Sequence, residues 1–101
     1  VQACEVRTVA ADSYWLSPSF DTDSLAVHFT WTADTAAVRA VLPEVEAALS
    51  PRPHWAKLSE IPPATLAERY PAWSRFADLL SAYDPEGKFR NAALTHYFPL
   101  G

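Results

Sequence analysis

The stretch Leu25-Ala26-Val27-His28-Phe29-Thr30-Trp31-Thr32, "LAVHFTWT", decides the fold class. Leu25, Val27, Phe29 and Trp31 take one side of a period-two pattern, and Ala26, His28, Thr30 and Thr32 take the other. Such alternation predicts a strand, because successive side chains of a strand point to opposite faces. An antiparallel sheet ordinarily lays its apolar face on a core and leaves the other to water. His28, flanked by small residues on that second face, is therefore the first residue to ask chemistry of.

A second alternating stretch lies upstream. Between Val1 and Ala10, the residues Ala3, Glu5, Arg7 and Val9 share one side and Cys4, Val6, Thr8 and Ala10 the other, which predicts a partner strand. The intervening "ADSYWLSPSFDTDS", residues 11–24, mixes Asp, Ser and Pro with Tyr14, Trp15, Leu16 and Phe20. It reads as a loop held to the body by its aromatic and apolar side chains. Downstream the period changes. Asp34 stands where a helix N-cap belongs, and Val38, Val41, Leu42, Val45 and Leu49 follow at helical spacing. Pro43 lies inside that pattern, so the helix is expected to kink there or to restart with Pro43 in its first turn.

Residues 50–60, "SPRPHWAKLSE", are expected to be largely extended because of their prolines. Ile61-Pro62-Pro63 opens a short helix to about Tyr70. Pro71 opens another, with Trp73, Phe76, Leu80 and Tyr83 along one face. Asp84-Pro85-Glu86-Gly87 is a turn, and residues 88–101 read as short and irregular. The sum is an α+β domain, a small antiparallel sheet with helices packed on one face.

Composition narrows the function. A 101-residue chain is one domain, able to bury roughly two-thirds of its unfolded surface. Its net charge is −4, and its eight Lys and Arg are scattered, so nucleic acid and anionic membranes are not expected partners. The single cysteine, Cys4, rules out an internal disulfide and fits a reducing, cytoplasmic setting. Cys4 also falls on the expected core side, which argues against a nucleophile. No run reaches the ~20 apolar residues of a membrane span. With His28, His54, His96 and Cys4 at no ligand spacing, no metal site is expected. The chain starts at Val1 without Met and enters a strand pattern almost at once, which reads as a piece of something longer.

If the two strands pair with their polar sides together, Glu5, Arg7, His28 and Thr30 line one patch, within reach of one small ligand because cross-strand neighbours sit ~5 Å apart. An Arg and a carboxylate supply charged donors and acceptors, His exchanges a proton near neutral pH, and Thr both donates and accepts. That set suits a polyhydroxylated ligand. The plain alternative is a solvated surface, with Glu5 and Arg7 as an exposed pair of little energetic consequence.

Three ordered motifs bear on that choice. Arg52-Pro53-His54-Trp55-Ala56-Lys57, then Tyr70-Pro71, then Asp84-Pro85-Glu86-Gly87-Lys88-Phe89-Arg90-Asn91 resemble the C-terminal end of the sugar-acid lactone oxidases. In those FAD-linked enzymes of the vanillyl-alcohol oxidase superfamily the tail runs "HWGK", "YP", "DPxGxFxN". Together with "EVRTVAAD" at 5–12 and "HFTW" at 28–31, the match looks most like the bacterial alditol (xylitol) oxidases, and it covers essentially the whole chain. Ala56 departs from the family glycine, so a turn needing positive φ would have to differ here.

The resemblance implies that residues 1–101 are the C-terminal cap or substrate domain of a larger flavin oxidase whose FAD-binding domain is absent from this chain. It implies a polyol such as xylitol or sorbitol held between the cap sheet and the flavin and oxidised to the aldose, with oxygen reduced to hydrogen peroxide. Glu5, Arg7, His28, Thr30 and Lys57 are then the substrate-binding residues. Arg7 and Lys57 would stabilise negative charge, and His28 would hydrogen-bond or deprotonate the alcohol. Lys57 and His54 would face the cofactor, though His54 and Trp55 read equally as packing residues or as flavin-side ones. Alone, the fragment is expected to bind no flavin, to be inactive and to self-associate through surface its partner domain covers. The alternative is a stand-alone small-molecule binding or dimerisation module without redox activity.

Overall fold

The structure, a computed structural model, describes residues 1–100. Strands β1 (Ala3–Val9) and β2 (Ser24–Thr30) pair antiparallel as a two-stranded ribbon. Glu5 stands opposite His28, Ala3 opposite Thr30 and Arg7 opposite Ala26. Directly opposed residues share a face. Glu5, Arg7, His28 and Thr30 thus lie on one side, and Cys4, Val6, Val27 and Phe29 on the other. The loop between the strands closes on itself through a bridge between Asp12 and Phe20. Trp15, Leu16 and Phe20 are half-buried and pin it, whereas Tyr14 is exposed.

Helix α1 (Thr35–Leu49) starts as its cap predicts, with the Asp34 side chain accepting the Ala37 N–H at 3.1 Å. It buries Val38, Leu42 and Glu46, one residue per four, while Val41 and Leu49 remain exposed. Of the two expected outcomes, a kink or a restart, the restart does not occur: the helix runs on through Pro43. The lost backbone bond and ring clash ordinarily cost about 3 kcal/mol inside a helix, so packing must offset them. Part of that packing is polar. The buried Glu46 carboxylate accepts the Ser59 hydroxyl at 2.5 Å and the Glu60 N–H at 2.7 Å, tying the extended segment to α1. Arg39 pairs with Glu60 alongside.

Helix α2 (Pro63–Arg69) begins with proline, whose missing N–H costs nothing in a first turn. Helix α3 (Trp73–Tyr83) half-buries Trp73, Phe76 and Leu80 but leaves Tyr83 exposed. The core lies among these elements. Ile61, Leu66 and Tyr70 form it, with Leu16, Trp73 and Tyr97 packed around. Leu66 is wholly buried, which is worth ~1.5–3 kcal/mol for a side chain of that kind. Phe98 stacks on Trp73 with ring centroids 4.3 Å apart.

The chain end is more ordered than its sequence suggests. Asp84 is buried and accepts the N–H groups of Lys88 (2.7 Å) and Phe89 (3.1 Å). Gly87 has φ +69°, and a Cβ there would sit 2.9 Å from Leu100 Cδ1, so both conformation and space require glycine. Asn91 then caps a fourth helix, α4 (Ala92–Tyr97), by accepting the Leu94 N–H at 2.9 Å. The sequence predicts an irregular segment here, because six residues carry too little periodicity to reveal a helix.

The α+β class stands, with one correction to its architecture: the helices do not pack over a face of the sheet. No residue of β1 is buried, Val6 and Leu25 are 62% and 68% exposed, and the core cluster takes no member from either strand. Cys4 is exposed as well, so burial gives no argument about its reactivity. The radius of gyration is 15.1 Å, against ~13 Å for a chain this long folded round one core. Each strand's apolar side has only its neighbour and a few aromatics for company, such as the Phe29–Trp31 pair at 5.3 Å.

Candidate functional site

The polar face of the ribbon gathers four of the expected site residues. Glu5 and His28 form its centre as a directly opposed pair, with Arg7 two residues along β1 and Thr30 two along β2. Ala3 and Ala26, facing Thr30 and Arg7, are small and leave open space beside the longer side chains. Arg7 reaches back along its own strand and donates from Nη2 to Glu5 Oε2 at 2.6 Å. Residues two apart on a strand share a face, so this bond follows from the alternation itself. The Arg7 guanidinium, through this hydrogen bond first and its charge second, holds the Glu5 carboxyl below the usual carboxylate range, and His28 adds a smaller push in the same direction. Glu5 is therefore kept as an anion, a strong acceptor for hydroxyl donors.

All four side chains are exposed. The face is a surface, and two clefts of the chain lie elsewhere. One sits between α1 and the start of α2, lined by Pro43, Glu46, Ile61 and Arg69. The other is lined by Tyr14, Trp15, Leu16 and Phe76. Among the described residues no three His, Cys, Asp or Glu side chains gather in a metal-holding group, and no helix is long and apolar enough to cross a membrane.

Lys57 and His54 lie outside the two strands, on a tight turn spanning 54–57. The turn is closed by a hydrogen bond from the Lys57 N–H to the His54 carbonyl at 3.0 Å. Its side chains are exposed, and no hydrogen bond or ion pair among the described residues joins it to Glu5, Arg7, His28 or Thr30. Ala56 has no positive φ, so the turn is made without the glycine conformation. The expected site residues thus come from one ribbon face and one turn.

The remaining residues of "RPHWAK" are anchors, a role sequence reasoning did not assign to Arg52. From the extended segment Arg52 donates Nε to the Arg69 carbonyl at 2.8 Å and Nη1 to the Phe20 carbonyl at 2.9 Å. Its guanidinium lies 5.3 Å from the Tyr70 ring centroid, a cation–π distance. Burial pushes the Tyr70 hydroxyl up to about 12, with Arg52 opposing that shift. Trp55 donates its indole N–H to the Leu16 carbonyl at 2.7 Å and packs on Tyr70, Trp73 and Tyr97. Arg52 and Trp55, a guanidinium and an indole three residues apart in a proline-rich segment between helices, were the available signal. Because Arg52 joins the loop to the end of α2, replacing it with Ala should lower unfolding stability by about 2–3 kcal/mol, the cost of carbonyls left without a charged donor. Urea titration of the protein measures it, and a change near zero would show the latch to be idle.

Comparison with known proteins covers nearly the whole chain. A family model described as D-arabinono-1,4-lactone oxidase matches residues 3–97. An alditol oxidase from a Streptomyces species is 48% identical over 97 residues, which is 93% of this chain and 23% of that protein. An L-gulono-1,4-lactone dehydrogenase from Mycobacterium tuberculosis is 37% identical over 89 residues, 86% of this chain and 21% of that protein. An L-gulonolactone oxidase from Bos taurus is 31% identical over 108 aligned residues, 93% of this chain and 23% of that protein. The chain therefore spans about a quarter of the length of the curated relatives it matches.

Proposed function

Because this chain belongs to the D-arabinono-1,4-lactone oxidase family, we propose that it is the C-terminal, substrate-binding part of an FAD-dependent alditol oxidase. The reaction is oxidation of a polyol such as xylitol or sorbitol to the aldose, with oxygen taken to hydrogen peroxide. The observation that carries this reading is the ribbon register, which sets Glu5 opposite His28 with Arg7 and Thr30 on the same exposed face. The 48% identity to an alditol oxidase, above that to the lactone enzymes, favours polyol over lactone.

The donor set fits half of a site for a polyol against a flavin. It offers a carboxylate held anionic, two exposed cations in Arg7 and Lys57, an imidazole and a hydroxyl. The chain holds only two glycines and no phosphate-cradling loop, so the nucleotide end of FAD belongs on a preceding FAD-binding domain. The exposed apolar side of the ribbon supports that partner. A two-stranded ribbon uncovered on both faces is marginal in water, and a neighbouring domain of the same protein would cover it. The fragment alone would then be inactive and prone to self-association.

When bound, the flavin supplies the hydride acceptor and the route of electrons to oxygen. This chain's residues bind and orient. Glu5 accepts hydrogen bonds from inner hydroxyls of the polyol, and Thr30 adds a neutral bond beside it. His28 takes the proton of the terminal hydroxyl as the hydride leaves its carbon, which balances the conversion of alcohol to aldehyde. Arg7 and Lys57 place positive charge where the alkoxide character develops.

The test is to express the protein that carries this chain and to follow flavin bleaching and peroxide release with xylitol, sorbitol and aldonolactones. Polyol-dependent peroxide with little response to lactone is the expected result. A lactone-selective enzyme would overturn the substrate class, and a protein without flavin would favour a stand-alone binding module.

A further inference from the structure

The geometry of the 54–57 turn points to His54 as a positioning residue that presents Lys57, rather than as a group that touches the cofactor. His54 Nδ1 accepts the Ala56 N–H at 3.1 Å, while the His54 carbonyl accepts the Lys57 N–H at 3.0 Å. Two successive backbone donors are thus folded onto a single residue. The bond uses Nδ1 as an acceptor, its lone pair turned to the Ala56 N–H. This is the bond an Asp or Asn side chain makes in an Asx turn, where an acceptor one atom beyond Cγ reaches the N–H two residues on.

Neighbouring contacts explain why the turn has one shape. Trp55 fastens its outer edge through the indole bond to the Leu16 carbonyl and through rings 5.4 Å away on Tyr70 and Tyr97. Ala56 occupies a position without positive φ, so its backbone has the ordinary restrictions of an L residue. With Trp55 pinned and the Ala56 N–H held by His54, the direction in which Lys57 leaves the turn is set. The Lys57 side chain itself is exposed and makes no ion pair among the described residues, so nothing else orients it. The role assigned to His54 rests on the reading of Lys57 as the cation beside the reacting hydroxyl.

Four variants of the flavin-loaded full-length protein test it: H54L, H54N, K57A and the H54L/K57A pair. H54L removes the acceptor. It should lower kcat roughly 10- to 100-fold, the usual effect of a misplaced catalytic group, with KM for xylitol, flavin content and melting temperature little changed. H54N places an amide oxygen where Nδ1 was and should recover most of that loss, which a simple packing role would not predict. Adding H54L to K57A should cost nothing further, since the two act through one group. An H54N enzyme as slow as H54L, or defects that multiply in the pair, would overturn the inference. A slow K57A with H54L at the wild-type rate would overturn the role of His54 alone. K57A at the wild-type rate would instead overturn the reading of Lys57 and take the His54 role with it. Should H54L fail to accumulate flavin, H54A removes the same acceptor and is read in the same way.

Discussion

Glu5→Gln in the flavin-loaded full-length protein should raise KM for xylitol by roughly 10- to 100-fold, the difference expected when charge-assisted hydrogen bonds become neutral ones. Flavin content and melting temperature should hold, because the Glu5 side chain is exposed and its one hydrogen bond, from Arg7, adds little to folding. The size of the effect comes from geometry. Glu5 stands directly across from His28, so a polyol whose inner hydroxyls bond to the carboxylate has its chain laid across the ribbon towards the imidazole. The pH dependence has a definite sign. Arg7 lowers the Glu5 pKa, so the anionic acceptor persists below the usual carboxylate range and is lost only as pH falls through that lowered value. Arg7→Gln should therefore move the acid edge of polyol binding upwards. Unchanged KM in E5Q, measured by steady-state peroxide release, would remove the ribbon face from the substrate site.

Lys57→Ala should slow flavin reduction by polyol about 100-fold while leaving KM within a few-fold, the pattern of a group that matters mainly as charge develops. Stopped-flow bleaching under anaerobic conditions reads that step directly. Lys57 is suited to the role by what it lacks, since among the described residues no carboxylate pairs with it and its charge stays available. A bleaching rate equal to wild type would sink the assignment. The two variants are separable because the ribbon and the 54–57 turn are separate pieces of this chain. One should act on binding and the other on rate.

Much of this was legible in the residues. Period-two alternation carried both strands and the shared polar face, because a strand turns every second side chain the same way. A one-residue slip of register would have put Glu5 and His28 on opposite sides, so the parity reading was a strong test, and the observed pairing agrees with it. Asp34 marked the start of α1, and the prolines marked the starts of the segments leading to α2 and α3, because caps and first-turn prolines are local chemistry. The ordered motifs carry the family resemblance, and the family match over residues 3–97 agrees with it.

Other features were not local. Whether a strand's apolar side is covered depends on what lies across from it, so "LAVHFTWT" could announce an apolar face but not that Leu25 would remain 68% exposed. Pro43 could be expected to disturb α1, yet the buried bonds of Glu46 to Ser59 and Glu60 come from a segment more than ten residues away in sequence. Arg52 and Trp55 looked like members of a motif. Only the fold shows that they clasp a loop from the far side of the ribbon connection, at Phe20 and Leu16.

Sequence by itself determined the strands, their parity, the cap of α1 and the family, since each rests on spacing along the chain or on residue identity. The tertiary structure alone decided that the ribbon stands clear of the helical core, that Arg52 latches the loop between the strands to the end of α2, and that His54 faces its own backbone. Those are matters of which distant atoms meet, and burial and hydrogen-bond partners are fixed only when the whole chain has folded.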